Sequence, residues 1–371
     1  MKNHNRKFDV RGVGRRAVLA AGAALTAAAI APSALAQSAP GAPRVLKNTD
    51  HEPIGGMRTR FLKDVLFPEI EKESNGRIKV ESYWNGEIAS SYDALAAVGS
   101  KRTADIGVIV PEYFSQQMPH GQLFKGFIVG PTSQRQVGLF QKAFREIPAF
   151  EREFKANGLT SIFLATGYPV AFFSTRPLEN LQGMREQTWR TASFWHRDFL
   201  RNAGANPISV PWGQAVFDAM QARQIDGLMV NVDSGYNLNV HSVAPNVLAS
   251  KDLWLGHLYV IAINTETWNE LSQDDRAAIQ RAARNAYSKL GPEMDRSYDA
   301  MLDELRRAGS TVRVLSDVEV AAFARATDDR QVQRRWAAEQ EGKGVSGVQD
   351  TLARLTRLVD AATRPAISPA M

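Results

Sequence analysis

The sequence predicts an α/β protein of two lobes, and three observations carry that reading. Short alternating or apolar runs read as strands, they alternate with segments of helical spacing, and the chain is too long for one core. Single cores seldom grow beyond ~250 to 300 residues, and this chain has 371. A composition of 44% hydrophobic and 23% charged residues is that of a globular protein, not a disordered or membrane-embedded one.

Residues 1–36 read as an address for export. Arg15 and Arg16 precede an uncharged alanine-rich run to Ala31, and Ala34-Leu35-Ala36 is a small-x-small cleavage site. The paired arginines suggest the twin-arginine route, although Val18 stands where that signal usually has a bulkier apolar residue. Residues 37–43 read as a flexible lead-in. Lys2, Arg6, Lys7, Arg11, Arg15 and Arg16 against Asp9 give this front segment +5 of the chain's +6, leaving +1 for the rest. A nucleic-acid partner thereby loses its electrostatic support.

Beyond the lead-in, Leu62, Val65, Leu66 and Ile70 recur at helical spacing until Asn75-Gly76 stops the helix. Arg77-Ile78-Lys79-Val80-Glu81 then alternates as a half-buried strand. A helix over Tyr92–Ser100 is followed by the apolar strand 105–110. Strands are predicted over Thr160–Thr166, Val170–Ser174 and Trp189–Thr191, and helices over Trp195–Ala203 and Trp212–Ala222. The segment Leu271–Arg307 reads as a long helix opened by Ser272 with Asp275 three residues on, a capping-box pattern. Gly291-Pro292 is a candidate kink. Helices between strands imply mainly parallel sheets.

Several chemistries have no residues to support them. Cysteine is absent, which removes disulfides, thiolate metal sites and cysteine nucleophiles. None of the six histidines has a metal-ligand partner at helical spacing, and neither a G-x-S-x-G elbow nor a phosphate-binding loop occurs. No cofactor, metal or enzymatic activity is expected.

The residues resemble a known family, the solute-binding proteins of tripartite ATP-independent periplasmic (TRAP) transporters, the DctP family. The likeness runs through Glu73-Ser74-Asn75-Gly76-Arg77, Asn85-Gly86-Glu87-Ile88, Ala104-Asp105-Ile106-Gly107-Val108 and Tyr113-Phe114. It resumes in Ser174-Thr175-Arg176-Pro177-Leu178, Gln224-Ile225-Asp226-Gly227, and Ile263-Asn264 with Trp268, and covers roughly residues 44–310. It implies a type II-like periplasmic-binding-protein fold with hinge strands, a long helix spanning both lobes, and a ligand held between them. The expected division is lobe I over 44–168 and 256–295, lobe II over 169–255 and 296–340, and a C-terminal tail and helix over 341–371.

By this resemblance Arg190 stands where the family grips a carboxylate, with Arg185 as a weaker competitor, and Trp212 where an aromatic often packs on the ligand. Asn231, Asp233 or Ser234 supplies a polar contact, unless Asp233 or Ser234 only caps a helix. Ser193 belongs to the same expected site. From the first lobe, Tyr113 is the best candidate beside Asn85 and His51-Glu52, with His51 itself read as a solvated loop residue. Val170 replaces an arginine found in some members, which suggests a smaller or more hydrophobic monocarboxylate. The expectation is a monomeric periplasmic receptor delivering a small organic acid to the small and large membrane subunits of a TRAP permease. The alternatives are a sensor subunit for a receptor kinase and, more remotely, a secreted enzyme. A cation held by Asp233 against the ligand is a further option.

Overall fold

The computed structural model describes residues 42–363 apart from residues 101, 192, 211 and 255. The export segment 1–36, the lead-in up to residue 41 and the last eight residues of the tail lie outside the described residues. Among the described residues no helix is long and apolar enough to cross a membrane.

The strands are β1 (Arg44–Thr49), β2 (Ile78–Tyr83), β3 (Ile106–Ile109), β4 (Leu159–Thr166), β5 (Val170–Ser174), β6 (Thr188–Arg190), β7 (Asn206–Ile208), β8 (Gly227–Asn231), β9 (Asn246–Ala249), β10 (Leu258–Asn264) and β11 (Thr311–Val314). They form two sheets, ordered β2-β1-β3-β10-β4 and β11-β9-β5-β8-β6-β7.

The strands predicted from alternation and apolar runs are present, but the sheets are less parallel than expected. β1 runs parallel to β2 and β3, whereas β10 is antiparallel to both β3 and β4. In the second sheet β5 is antiparallel to β8 and β9, while the other pairs are parallel. The cause is the way the chain crosses between sheets. β4 leaves the first sheet and, after residues 167–169, continues as β5 in the second; β9 in turn leads back to β10. A strand arriving from the other lobe, with no helix returning it over its own sheet, enters against its neighbours.

The inner strands β3, β5, β8 and β10 are buried throughout, so both faces of the sheets are covered there. Every residue of Val170–Ser174 is buried, and the adjacent Phe172 and Phe173 belong to different apolar clusters. Strands buried on both faces need no polar alternation, which is why this one reads as a plain apolar run.

The long helix runs unbroken over Gln273–Arg307, with Ser272 Oγ accepting from the Asp275 backbone N–H at 3.1 Å. It packs on β4 of the first sheet and β11 of the second. Gly291-Pro292 does not interrupt it. Gly291 instead marks a close approach, since a Cβ there would lie 2.6 Å from the backbone nitrogen of Gln134. After β11 come helices Asp317–Thr327, Asp329–Gly342 and Val348–Thr363, the last of them within the span 341–371. Their packing includes Trp336, whose ring lies 4.9 Å from that of Trp195.

Candidate functional site

The loops after the strand ends of both sheets converge on a cavity of about 350 Å³. Its first-sheet wall comes from His51 and Glu52 after β1, Asn85 after β2, and Glu112 and Tyr113 after β3. Opposite them stand Arg190 and Thr191 at the end of β6, and Asn231 and Asp233 at the end of β8. Carboxyl ends of strands are the usual ligand position in open α/β sheets.

Arg190 is 2% exposed, and no carboxylate among the described residues lies within ion-pair distance of it. Its Nε and Nη2 both donate to the carbonyl oxygen of Val210, at 3.0 and 2.7 Å. The guanidinium lies over the Trp212 ring, 5.3 Å from the centroid. Burial lowers its pKa to about 10, against the opposing pull of Glu112, Tyr113 and Tyr92. It remains charged at neutral pH, and a buried cation without a counter-charge favours an anion beside it. Because Val210 occupies the Nε side of the fork, the end-on face formed by Nη1 and the second Nη2 hydrogen keeps its donors without a protein acceptor among the described residues.

Just beyond Arg190, Thr191 Oγ1 and Ser193 Oγ are buried without hydrogen-bond partners. Ser193 is the N-cap residue of helix Phe194–Asn202, yet its hydroxyl makes no cap bond. Both side chains line the cavity.

The floor contains Lys125, His196 and His257, none of which the sequence singled out. Lys125 Nζ lies 2.6 Å from Glu112 and 2.9 Å from His257 Nδ1. Burial lowers the Lys125 pKa while Glu112 pulls it back up. Burial, followed by the Lys125 charge, holds the His196 ring far below the ordinary histidine range, and the same two causes act on His257. His196 Nε2 is buried without a hydrogen-bond partner.

On the first-sheet side Arg58 pairs with both oxygens of Asp50, at 2.5 and 3.0 Å, and with Glu52 at 2.8 Å. The same guanidinium lies 4.4 Å from the centre of the Tyr259 ring. Asp233 faces this group. Burial, reinforced by the charge of Glu52, raises its pKa to about 7, and its Oδ1 has no hydrogen-bond partner.

All of Arg190, Trp212, Asn231, Asp233, Ser193 and Tyr113 line the one cavity, as do Ser234, Asn85, His51 and Glu52. His51 is not a solvated loop residue. It is half-buried, its ring edge-on to Tyr113 at 5.9 Å, with Asp50 and Glu52 carboxylates each 3.9 Å away. Arg185 is exposed, packs beside Gly204 and has no place in the cavity wall. Capping does not explain Asp233 or Ser234, because the helix begins at Val232 with Asn231 as its N-cap residue. Val170 adds no apolar surface to the cavity; it is fully buried and paired with Asn231 across the β5–β8 ladder.

Lys125, His196 and His257 come from three separated loops and helices, so no spacing links them. His196 alone left a trace, a histidine on the face that Trp195, Phe199 and Leu200 bury.

Comparison with known proteins finds solved structures of similar fold. A TRAP solute-binding protein from Rhodoferax ferrireducens in complex with benzoate is 18% identical, with a TM-score of 0.73 over 86% of this chain and 98% of that one. A TRAP periplasmic solute-binding protein from Desulfovibrio salexigens with bound orotic acid is 15% identical, with a TM-score of 0.72 over 86% and 99%. An extracytoplasmic solute receptor of Bordetella pertussis binding pyroglutamic acid is 16% identical, with a TM-score of 0.69 over 85% and 100%. Comparison with curated protein sequences gives no match. These likenesses show the fold. The sequence pattern of the DctP family, described as bacterial extracellular solute-binding protein, family 7, matches residues 58–337, well over half of the chain. The chain belongs to that family of extracellular solute-binding proteins.

Proposed function

We propose that this protein is the periplasmic receptor of a TRAP transporter, capturing a small organic acid between its lobes and handing it to the small and large membrane subunits of a permease. It binds its solute without transforming it, and it acts as a monomer. The solute carboxylate meets the end-on face of Arg190, with the hydroxyls of Ser193 and Thr191 as further donors and the Trp212 ring screening the ion pair from water. The observation that carries this reading is the buried Arg190 guanidinium, which faces a cavity without a carboxylate partner among the described residues. The benzoate, orotic acid and pyroglutamic acid bound by the similar structures are all acids, which supports an acid here. A volume of about 350 Å³ suits a solute of that size.

The test is calorimetry of the mature chain against a panel of monocarboxylic and dicarboxylic acids, repeated with Arg190→Ala. Binding of an acid, without turnover, that collapses in the variant is the expected result. An acid held equally well by Arg190→Ala would refute the assignment.

A further inference from the structure

Apart from its anion-gripping end, the cavity is furnished with hydrogen-bond acceptors. Asn231 is 3% exposed, and its Nδ2 donates to the carbonyl oxygen of Tyr168 at 2.9 Å. A carbonyl can only accept, so the nitrogen is the committed atom and the side-chain oxygen is what Asn231 has left to offer. His196 is 2% exposed and burial holds its ring neutral, so the ring carries one N–H and one lone pair, and its buried, unpartnered Nε2 presents that lone pair to the cavity when Nδ1 holds the proton. Asp233 Oδ1 is likewise buried without a partner.

Charge is divided along the same line. The charged or ionisable groups acting on Arg190 are Glu112, Tyr113 and Tyr92, whereas those acting on Asp233 are Glu52 and Arg58. On the Asp233 side Arg58 is already shared between Asp50 and Glu52. A second anionic group on the solute would find there carboxylates and, among the described residues lining the cavity, no lysine or arginine besides Arg190 that lacks a carboxylate partner. Lys125 does not help, because Glu112 and His257 already engage its ammonium.

From these placements we propose that the solute is a monocarboxylate carrying hydroxyl or N–H groups, which donate to His196 Nε2, Asn231 Oδ1 and Asp233, and that dicarboxylates and acids without such donors are rejected. The inference rests on the carboxylate reading above and narrows it. Its physical basis is that filling the cavity with a solute lacking donors would bury these acceptors unpaired, and an unmade buried hydrogen bond costs more than a made one contributes.

The experiment is calorimetry on the mature chain with matched acids: quinate against cyclohexanecarboxylate, 4-hydroxybenzoate against benzoate, and pyroglutamate against cyclopentanecarboxylate, with succinate and terephthalate as dicarboxylates. The donor-bearing member of at least one pair should bind tenfold or more tighter than its partner, and both dicarboxylates should bind more weakly than that member. In His196→Phe the preference for the donor-bearing acid over its bare partner should shrink at least fivefold. Asp233→Asn, which keeps the shape and removes the charge, should relax the rejection of dicarboxylates; it serves as the second reading if His196→Phe melts early. Bare acids binding as tightly as their donor-bearing partners, or a dicarboxylate binding tightest, would overturn this inference and leave the carboxylate reading intact. Failure of every acid in the panel to bind would overturn both.

Discussion

The Nε and Nη2 atoms of Arg190 converge on a single oxygen, the Val210 carbonyl, at 3.0 and 2.7 Å. This clamp sets the plane of the guanidinium and leaves its Nη1 edge without a protein partner among the described residues. Replacing Arg190 by Lys keeps a positive charge but loses the planar fork and the clamp together. The expected cost in affinity for the bound acid is about 1.5 to 3 kcal/mol, roughly ten- to hundred-fold. Calorimetry on Arg190→Lys reads it, and an unchanged affinity would mean that charge alone suffices and the clamp has no part in binding.

Trp212 is 46% exposed and touches the same guanidinium with its face. An exposed cation–π contact contributes about 0.5 to 1 kcal/mol, so Trp212→Ala should weaken binding by a few-fold while the melting temperature stays nearly constant. A large drop in melting temperature would instead make the residue part of the core.

Acidity gives a sharper handle on Asp233. Its pKa is raised from 3.8 to about 7, so the folded state holds a proton that the unfolded chain releases. The folded chain binds more protons between these values, so this group's stabilising contribution is full below pH 4 and lost as pH rises through 7. Asp233→Asn cannot titrate there. Denaturant unfolding of the solute-free protein should find the variant more stable than the parent at pH 8, with the gap closing towards pH 4. Glu153, also raised to about 7 by burial, gives both proteins a common slope, so the difference between them is the quantity to measure.

Much of this architecture was legible because it is written in local periodicity. Strands such as Ile78–Tyr83 and the helix Gln273–Arg307 announce themselves by alternation and by a Ser272 cap. What periodicity cannot express is direction. Nothing in Leu258–Asn264 records that it runs against β3 and β4, because that follows from a crossing between lobes. The site divides in the same way. Arg190 and Trp212 were accessible through family resemblance, whereas Lys125, His196 and His257 meet only through tertiary packing. Their burial, not their spacing, makes them part of the cavity.

Arg58 tests how that packing is balanced. It is 4% exposed and holds two carboxylates, Asp50 and Glu52. Removing one partner of a buried ion pair leaves uncompensated charge, and Arg58→Met should cost about 3 to 5 kcal/mol of folding stability. Urea unfolding measures this, and a loss below about 1 kcal/mol, the range of exposed pairs, would show that water reaches the cluster.

The crossing between sheets carries a constraint of its own at Gly167, between β4 and β5. A Cβ at this position would lie 2.7 Å from Asn231 Nδ2, 3.0 Å from His257 Cβ and 3.1 Å from Tyr259 Cε2. Three residues that line the cavity therefore close around a hydrogen atom, and Gly167→Ala must displace at least one of them. The amide of Asn231 is the nearest, and moving it breaks its bond to the Tyr168 carbonyl. Overpacking of this kind costs about 1 to 3 kcal/mol, and here it should also weaken solute binding, since the displaced groups line the cavity. Gly138→Ala is the counterpart, because its added Cβ meets nothing within 4 Å and it lies exposed in helix Ser133–Glu146. Helix propensity alone should then raise stability by up to about 1 kcal/mol, with binding unchanged. Paired melting and calorimetry on the two variants separate crowding at the crossing from the general effect of replacing glycine. Equal behaviour of the pair would show that the floor yields at no cost.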